Sequence, residues 1–397
     1  MAAVWGPGLL VMLADTDAGN VVTAAEAGAR WGYRLAPLLL LLIPVLILVQ
    51  DLAVRIGLFR QCGFGELVRE RFGRAGAFAA AAALIVATLG SLVTELTGIA
   101  GVGELYGASR WLVLPLASLI LILVALTGEY RRVERIALLF GLFELSFFVV
   151  AWRSHPSGGE IFHDIADQKL ADYSYLYLGA ALIGATFNPW MIFYQASAVA
   201  EKRLSPSDYR AARWDTIVGA ILTQLVTASV LVAIAALKRH GAGNSLDNIG
   251  QISEALIPLL GEAAGRWVFS AGVVGAAMAA AIVSALACAW GLGEIFGLRR
   301  SLEYEARHRL GFFSGYTAWV VGSALLVLFA PDLVRLSVVM QVLNVLLLPI
   351  VVTLLVILAA TALPENARLS GWRLWLTAGI VGLVVAAGLA GAGAGLR

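Results

Sequence analysis

Long apolar runs separated by short polar stretches repeat along the whole chain. The clearest runs, at 38–49, 77–89, 112–126 and 343–360, reach or approach the roughly 20 apolar residues that cross a bilayer as a helix. Reading each run between charged or Gly/Pro-rich breaks predicts eleven spans, centred near residues 15, 46, 88, 119, 144, 186, 226, 282, 321, 348 and 382. Because all connections are short, we expect one all-α polytopic membrane domain over residues 1–397.

Polar residues interrupt the first span at mid-depth, where the sequence reads LADTDAGN over residues 13–20. A charged side chain at the bilayer centre costs at least about 2.5 to 3.5 kcal/mol, so Asp17 needs a partner. Gly19 and Asn20 disfavour continuous helix, which predicts a break that frees backbone carbonyls beside the Asp17 carboxylate. Carboxylate, amide and carbonyl oxygens together would form a cluster of hard ligands.

The sixth span carries a second predicted break, because Asn188 directly precedes Pro189 in the middle of an apolar run. Proline removes a backbone donor and disfavours helical geometry at the residue before it, so the helix should break over 185–189. Spans 1 and 6 are five apart, as expected for two repeats of opposite orientation, about 1–155 and 170–362, followed by an extra helix at 370–395. Matched breaks in two such halves predict a binding site between them near the bilayer midplane.

Other polar residues in the spans have more than one interpretation. On a helix, Asp15 would point roughly 200° away from Asp17, so we expect it to line a vestibule or to pair with another span. Glu95 is either a structural hydrogen-bond partner or a proton-handling group. Gln341 and Asn344 share one helical face and either join helices or complete a coordination shell.

Composition and charge exclude several classes of protein. The chain is 60% hydrophobic and 14% charged, whereas soluble domains are about 45–50% apolar and about 25% charged. Its mean hydropathy is +0.86. The net charge is +2 and the basic residues are scattered, so no nucleic-acid partner is expected. Two cysteines, Cys62 and Cys288, are too few for a disulfide framework or a Cys-rich metal site.

The distribution of basic residues predicts the orientation in the membrane. With the N-terminus inside, 18 of the 28 Lys and Arg residues fall in cytoplasmic connections. The positive-inside rule therefore favours a cytoplasmic N-terminus and a multi-pass protein of the cell membrane, although Lys238, Arg239 and Arg266 count against it.

The polar motifs of spans 1, 6 and 10 resemble those of the natural resistance-associated macrophage protein (Nramp) family of divalent metal transporters, over most of the chain. The family's first-span pattern is GPG, then D-P-G-N, Q-A-G-A and G-Y, and its counterparts here lie at residues 6–8, 17–20, 26–29 and 32–33. Its sixth-span pattern A-x-x-M-P-H is similar to residues 185–190, and its tenth-span Q-V with a later proline is similar to Gln341, Val342 and Pro349.

The resemblance implies a LeuT-type fold, with two inverted five-helix repeats plus one helix, and a transporter rather than an enzyme. It implies a transported metal ion as substrate and no cofactor. The implied ion ligands are Asp17, Asn20, the Ala185 carbonyl and Asn188, with Gln341 nearby. Beyond the lipid bilayer, no obligatory protein partner is expected.

Three departures from the family pattern bear on substrate and coupling. Asn188 replaces the family's methionine, and oxygen donors suit Mg²⁺, Ca²⁺ and Mn²⁺ better than soft sulfur does. Trp190 and Gln195 replace two histidines associated with the proton route, and Leu92 replaces an acid in the third span. These changes resemble the Nramp-related magnesium transporter branch and indicate weakened or lost proton coupling, although Glu95 remains.

The sequence thus predicts import of Mg²⁺, with Mn²⁺ also carried, by alternating access and without a proton. One alternative is a proton-coupled Mn²⁺/Fe²⁺ transporter of the ordinary Nramp type. An organic solute carrier of the same fold is another, but Asp17 would repel a substrate carboxylate. A metal-dependent membrane enzyme is disfavoured because all four histidines lie in connections.

Overall fold

The computed structural model describes residues 5–126, 130–237, 252, 262–297, 306–330 and 332–395. Throughout these ranges the regular structure is helical. The α-helices are α1 Pro7–Leu13, α2 Ala18–Trp31, α3 Ala36–Arg60, α4 Phe64–Leu105, α5 Arg110–Leu126, α6 Tyr130–Gly141, α7 Ser146–Arg153, α8 Gly158–Ala166, α9 Tyr173–Thr186, α10 Pro189–Glu201, α11 Tyr209–Leu237, α12 Glu262–Phe296, α13 Ala306–Leu328, α14 Leu333–Thr361 and α15 Trp372–Ala394.

The eleven predicted spans agree with these helices. Within the described ranges, eight helical segments are long and apolar enough to cross a membrane, and the shorter apolar helices Arg110–Leu126 and Phe313–Leu328 supply two more. The interrupted pair α1 and α2 makes the remaining span. The prediction of an all-α polytopic fold is confirmed, while the repeat boundaries near 155, 170 and 362 stay a prediction.

The break in the first span lies slightly before the predicted position. The backbone leaves helical geometry over 14–17, and Asp17 caps α2 by accepting a hydrogen bond from the Asn20 backbone N–H at 2.6 Å. Gly19 and Asn20, which were expected to break the helix, instead lie in its first turn. The physical reason is the capping preference of aspartate, which begins a helix more strongly than Gly19 disrupts it.

The break in the sixth span lies where Pro189 predicts it. α9 ends at Thr186, Asn188 is extended, and Pro189 occupies the first turn of α10. Proline is favoured at this position because its missing N–H would have no partner inside the helix. The two breaks are brought together because α2 packs against α9 and α14, while α1 packs against α10 and α11.

A glycine allows α9 to approach α14 closely beside the second break. A Cβ built on Gly184 would overlap the Gln341 carbonyl oxygen, which is backbone and cannot move aside. A Cβ built on Gly179, on the same helix, would lie 3.8 Å from the side chains of Leu35 and Leu38, an ordinary van der Waals distance. The close α9–α14 contact therefore depends on Gly184 and not on Gly179.

Gly184→Ala is expected to lower the thermal unfolding midpoint, because overpacking costs about 1–3 kcal/mol. Gly179→Ala is the matched control and should leave the midpoint unchanged or raise it, since alanine is the better helix former. Thermal unfolding of both variants in detergent measures the difference. Equal midpoints would contradict the close α9–α14 contact.

Charged residues outside the spans fasten the end of α2 to the connection before α9. Arg34 forms ion pairs with Asp164 at 3.0 Å and Asp167 at 2.8 Å. Hydrogen bonds from Lys169 and from Arg34 lower the pKa of Asp167 to about 2. The carboxylate is therefore ionised throughout the neutral range, and this attachment should persist there.

Candidate metal site

Asp17 lies at the centre of the region where the two breaks meet. Its Oδ1 accepts hydrogen bonds from the Asn20 backbone N–H and, at 3.3 Å, from Gln341 Nε2. Its Oδ2 has no hydrogen-bond partner in the described part of the chain, although the side chain is fully buried. One carboxylate oxygen is thus fixed by the protein, and the other is free to bind a cation.

Asn20 and Asp15 add further oxygens on the first-span side. Asn20 Nδ2 donates to the Asp15 carbonyl at 3.0 Å, which leaves Asn20 Oδ1 without a partner among the described residues. The carboxylate of Asp15 reaches the sixth span, where Oδ1 accepts from Asn188 Nδ2 at 3.4 Å. The structure therefore pairs Asp15 with another span, which was one of its two predicted roles, and buries its side chain fully.

The sixth and tenth spans contribute a chain of amides. Asn188 Nδ2 donates to the Ala185 carbonyl at 3.1 Å, and Asn188 Oδ1 accepts a close hydrogen bond from Asn344 Nδ2. Asn344 also donates to Gln341 Oε1 at 3.0 Å. Gln341 and Asn344 thus link Asp17 to Asn188, so the structure places all five predicted ligands around one position.

A glycine lets the tenth span reach Asp17. A Cβ on Gly19 would overlap the Gln341 side-chain amide. A larger residue at this point would push Gln341 away from the Asp17 carboxylate.

Glu95 lies on the other side of Asp17 and caps the start of α2. Its Oε2 accepts from the Ala18 backbone N–H at 3.0 Å, and its carboxyl group lies near that of Asp17. Glu95 therefore has a structural role, and its contact with Asp17 also fits the proton-handling role considered from the sequence.

The site itself is closed to solvent on both sides. The nine predicted site residues are each 3% exposed or less. At the α1 end, Lys202 Nζ pairs with Glu134 at 2.9 Å, and Trp190, on the first turn of α10, is fully buried among apolar side chains. Trp190 is therefore a packing residue beside the site.

At the opposite end of the site a cavity of about 370 Å³ opens, lined in part by Glu26, Asp332 and Val338. Val338 lies three residues, about one helical turn, before Gln341 on α14. The cavity thus ends close to the site without exposing it.

Two functional candidates, Asp215 and Glu144, were missed from the sequence. Asp215 accepts hydrogen bonds from the backbone N–H groups of Gly6 at 3.2 Å, Gly8 at 2.7 Å and Leu9 at 3.2 Å, and so fastens α1 to α11. The contact joins residues about 200 positions apart, so no local sequence pattern could predict it. Glu144 could have been found, because it is a single acid inside an apolar run.

The donor set restricts the chemistry of the site. Among the described residues, no three His, Cys, Asp or Glu side chains are placed to hold a metal ion together. The ligands available around Asp17 are instead oxygens from carboxylate, amide and backbone groups. Oxygen donors of this kind bind Mg²⁺, Ca²⁺ and Mn²⁺ and bind thiophilic metals less well.

A comparison with protein families matches residues 8–392 to the model described as "Natural resistance-associated macrophage protein-like". The chain belongs to the Nramp family. The resemblance inferred from the motifs of spans 1, 6 and 10 is therefore confirmed. The more specific similarity to the magnesium branch stays a prediction.

Curated relatives of this Nramp protein are named as transporters, not as enzymes. The chain is 30% identical to "Divalent metal cation transporter MntH 1" of Pseudomonas aeruginosa, over 72% of this chain and 68% of the relative. It is 27% identical to "Divalent metal cation transporter MntH" of Xylella fastidiosa, over 72% of this chain and 63% of the relative. The matched region thus spans about two thirds of these relatives.

Solved structures of low sequence identity share the fold. A manganese transporter of Eremococcus coleocola has a TM-score of 0.74 at 19% identity, covering 96% of this chain and 85% of that one. A Na⁺-coupled sialic acid symporter has a TM-score of 0.60 at 13% identity, covering 98% of this chain and 89% of that one. The predicted LeuT-type fold is confirmed by these neighbours.

Proposed function

We propose that this Nramp protein carries divalent metal ions that prefer oxygen ligands, Mn²⁺ foremost, across the cell membrane. The proposal is carried by two buried oxygens that lack hydrogen-bond partners within the described ranges, Asp17 Oδ2 and Asn20 Oδ1. Burying unpaired polar atoms costs free energy, and a bound cation would recover it. Both oxygens lie where the two helix breaks meet.

The ligands we propose are those implied by the family motifs. Asp17 supplies the negative charge, and Asn20, the Ala185 carbonyl, Asn188 and Gln341 supply neutral oxygens. Ala185 and Asn188 are hydrogen-bonded to each other in this closed state, so ion binding would exchange that bond for metal–oxygen contacts. Water molecules would fill the remaining positions, as is usual for Mg²⁺ and similar ions.

Mn²⁺ has better support than Mg²⁺ as the main substrate. The curated relatives are named divalent metal cation transporters, and one structural neighbour is a manganese transporter. The sequence prediction of a Mg²⁺ preference rests on Asn188, which puts an amide where the family has a thioether. Mg²⁺ is therefore the second candidate substrate.

The closed ends support alternating access. Following the basic-residue bias, we assign the α1 end to the cytoplasm and the cavity at Glu26 and Asp332 to the outside. An ion would enter through this cavity and leave after α1 moves away from α11. An inside-negative potential favours entry by about 2.3 kcal/mol per charge per 100 mV.

Two observations bear on proton coupling in opposite directions. Trp190 and Gln195, which replace the family's histidines, cannot carry protons at neutral pH, and this favours the uncoupled mechanism predicted from the sequence. The contact between Glu95 and Asp17 favours a coupled one. Internal pH during Mn²⁺ entry separates the two mechanisms: acidification in proportion to Mn²⁺ supports coupling, and a constant pH supports uniport.

Asn188→Met is expected to raise uptake of Cd²⁺ relative to Mn²⁺ by about tenfold, equivalent to about 1.4 kcal/mol, because a thioether prefers softer ions. Asn188→Leu is the matched control, since it removes the amide without adding sulfur, and it should slow both ions without this gain. Isotope or fluorescence uptake into liposomes gives the ratio. A wild-type ratio in Asn188→Met would argue against Asn188 as a ligand.

A further inference from the structure

Glu144 is a buried acid that the proposed metal site does not use. It lies in the 3₁₀ segment Leu142–Leu145, which interrupts the fifth span between α6 and α7. The side chain is fully buried, and neither carboxylate oxygen has a hydrogen-bond partner in the parts of the chain that the structure describes. Burying a carboxyl group in this way is costly unless something occupies its oxygens.

The surroundings of Glu144 are acidic. The side chains that interact with it electrostatically are the Thr16 hydroxyl and the carboxylates of Asp17 and Asp15. Among the described residues, no positive side chain is one of these neighbours. A cation is the ligand that such an environment favours.

The fifth span approaches the first break directly. A Cβ on Gly141 would lie 3.1 Å from the Leu13 side chain, at the last residue of α1, and 3.6 Å from Glu144 Oε1. On its other side Thr16 exchanges a hydrogen bond with Thr223 of α11 through their hydroxyl groups. Glu144, on the fifth span, thus lies on one side of the 14–17 break, and Thr223 of α11, the seventh span, lies on the other.

Oxygens for a second site are therefore present beside the first. Glu144 offers two oxygens, Asp15 offers its unpartnered Oδ2, and the Thr16 hydroxyl has lone pairs beyond its bond to Thr223. Asp17 and Asn20 lie at the α2 end of the break. Two carboxylates and a hydroxyl, completed by water, suit a hard divalent cation.

We propose that Glu144, with Asp15 and Thr16, forms a second binding position for the transported divalent ion, on the α1 side of the site at Asp17. An ion that leaves Asp17 would pause there before release. The inference rests on the proposed function, because it assumes that a divalent ion reaches Asp17. The inference adds a second, weaker metal site, with a ligand from the fifth span, to the route of the ion through the protein.

The experiment counts Mn²⁺ ions bound to the purified full chain by calorimetry and by equilibrium dialysis with metal analysis. Wild type should bind two ions, one more tightly than the other. Glu144→Gln, which preserves size and removes the charge, should retain the tight site, lose the weak one and slow Mn²⁺ uptake by about tenfold. Glu144→Asp should recover part of the weak binding.

A buried glutamate elsewhere provides the control. Glu294 accepts hydrogen bonds from Ser197 at 2.6 Å and from the Gly65 backbone N–H at 3.0 Å, so Glu294→Gln removes a buried acid without touching either site. This variant should keep both Mn²⁺ ions even where its thermal stability falls. Loss of an ion there would overturn the assignment to Glu144.

Asp17→Asn separates a failure of this inference from a failure of the proposed function. If no Mn²⁺ binds to wild type, the proposed function is wrong and the second site with it. If one ion binds, is lost in Asp17→Asn and is kept in Glu144→Gln, the function stands and the second site is refuted. The second site is also refuted if Glu144→Gln changes only the acidification that accompanies Mn²⁺ entry, since Glu144 then carries a proton instead.

Discussion

Asp17→Asn is expected to reduce Mn²⁺ uptake by about 100-fold, equivalent to about 2.7 kcal/mol. Removing one partner of a buried charged contact typically costs about 2–5 kcal/mol, and Asp17 is the charged ligand of the proposed site. Asparagine is also a good helix cap, so α2 should still begin correctly and the loss can be assigned to the missing charge. Initial rates of Mn²⁺ entry into liposomes measure the effect.

Glu70→Gln is the control for this prediction. Glu70 is 60% exposed and pairs with Arg60, and exposed pairs contribute only about 0–1 kcal/mol, so its uptake should stay within about twofold of wild type. Thermal unfolding of both variants verifies that they are folded. Wild-type uptake by folded Asp17→Asn would remove Asp17 from the site.

Asp215→Asn is expected to open the α1 end of the protein. Three backbone N–H groups at the start of α1 now donate to this one carboxylate, and hydrogen bonds to charged groups contribute about 1.5–3 kcal/mol each. Loss of about 1.4 kcal/mol from the closed state would increase the open population about tenfold. Labelling of Ala14→Cys by a water-soluble thiol reagent, with Cys62 and Cys288 replaced by alanine, should accelerate by that factor.

Asp208→Asn is the matched control, because Asp208 lies just before the same helix and, among the described residues, its hydrogen bonds stay within its own turn, to the backbone N–H and hydroxyl of Ser205. It should leave the labelling rate unchanged. Equal rates in Asp215→Asn and wild type would show that Asp215 does not hold α1 closed.

The sequence predicted the spans and the second break because their causes are local. Apolar length determines the spans, and proline determines the start of α10 at Pro189. The sequence predicted the first break a few residues too late, because we expected Gly19 to interrupt the helix. The Asp17 cap instead determines where α2 begins. The structure brings the predicted ligands together because Asp17 and Asn188 belong to the breaks themselves.

Other features of the site depend on distant pairs that no local pattern contains. Asp215 binds the start of α1, and Asn344 bonds to Asn188 across 156 positions. The position of Asp15 was also not predictable from helical geometry, since it lies in the break and not on a helix. Glu144 carried a signal, a lone acid in an apolar run, but only the fold places it beside Thr16.

Mn²⁺ flux into liposomes containing the purified protein tests the central claim most directly. With an inside-negative potential, Mn²⁺ should enter in a saturable manner, external Mg²⁺ should compete, and Asp17→Asn should slow the entry by about 100-fold. An internal pH dye in the same vesicles reports whether protons accompany the ion. Entry of Mn²⁺ and Mg²⁺ no faster than into protein-free liposomes would contradict the proposed function.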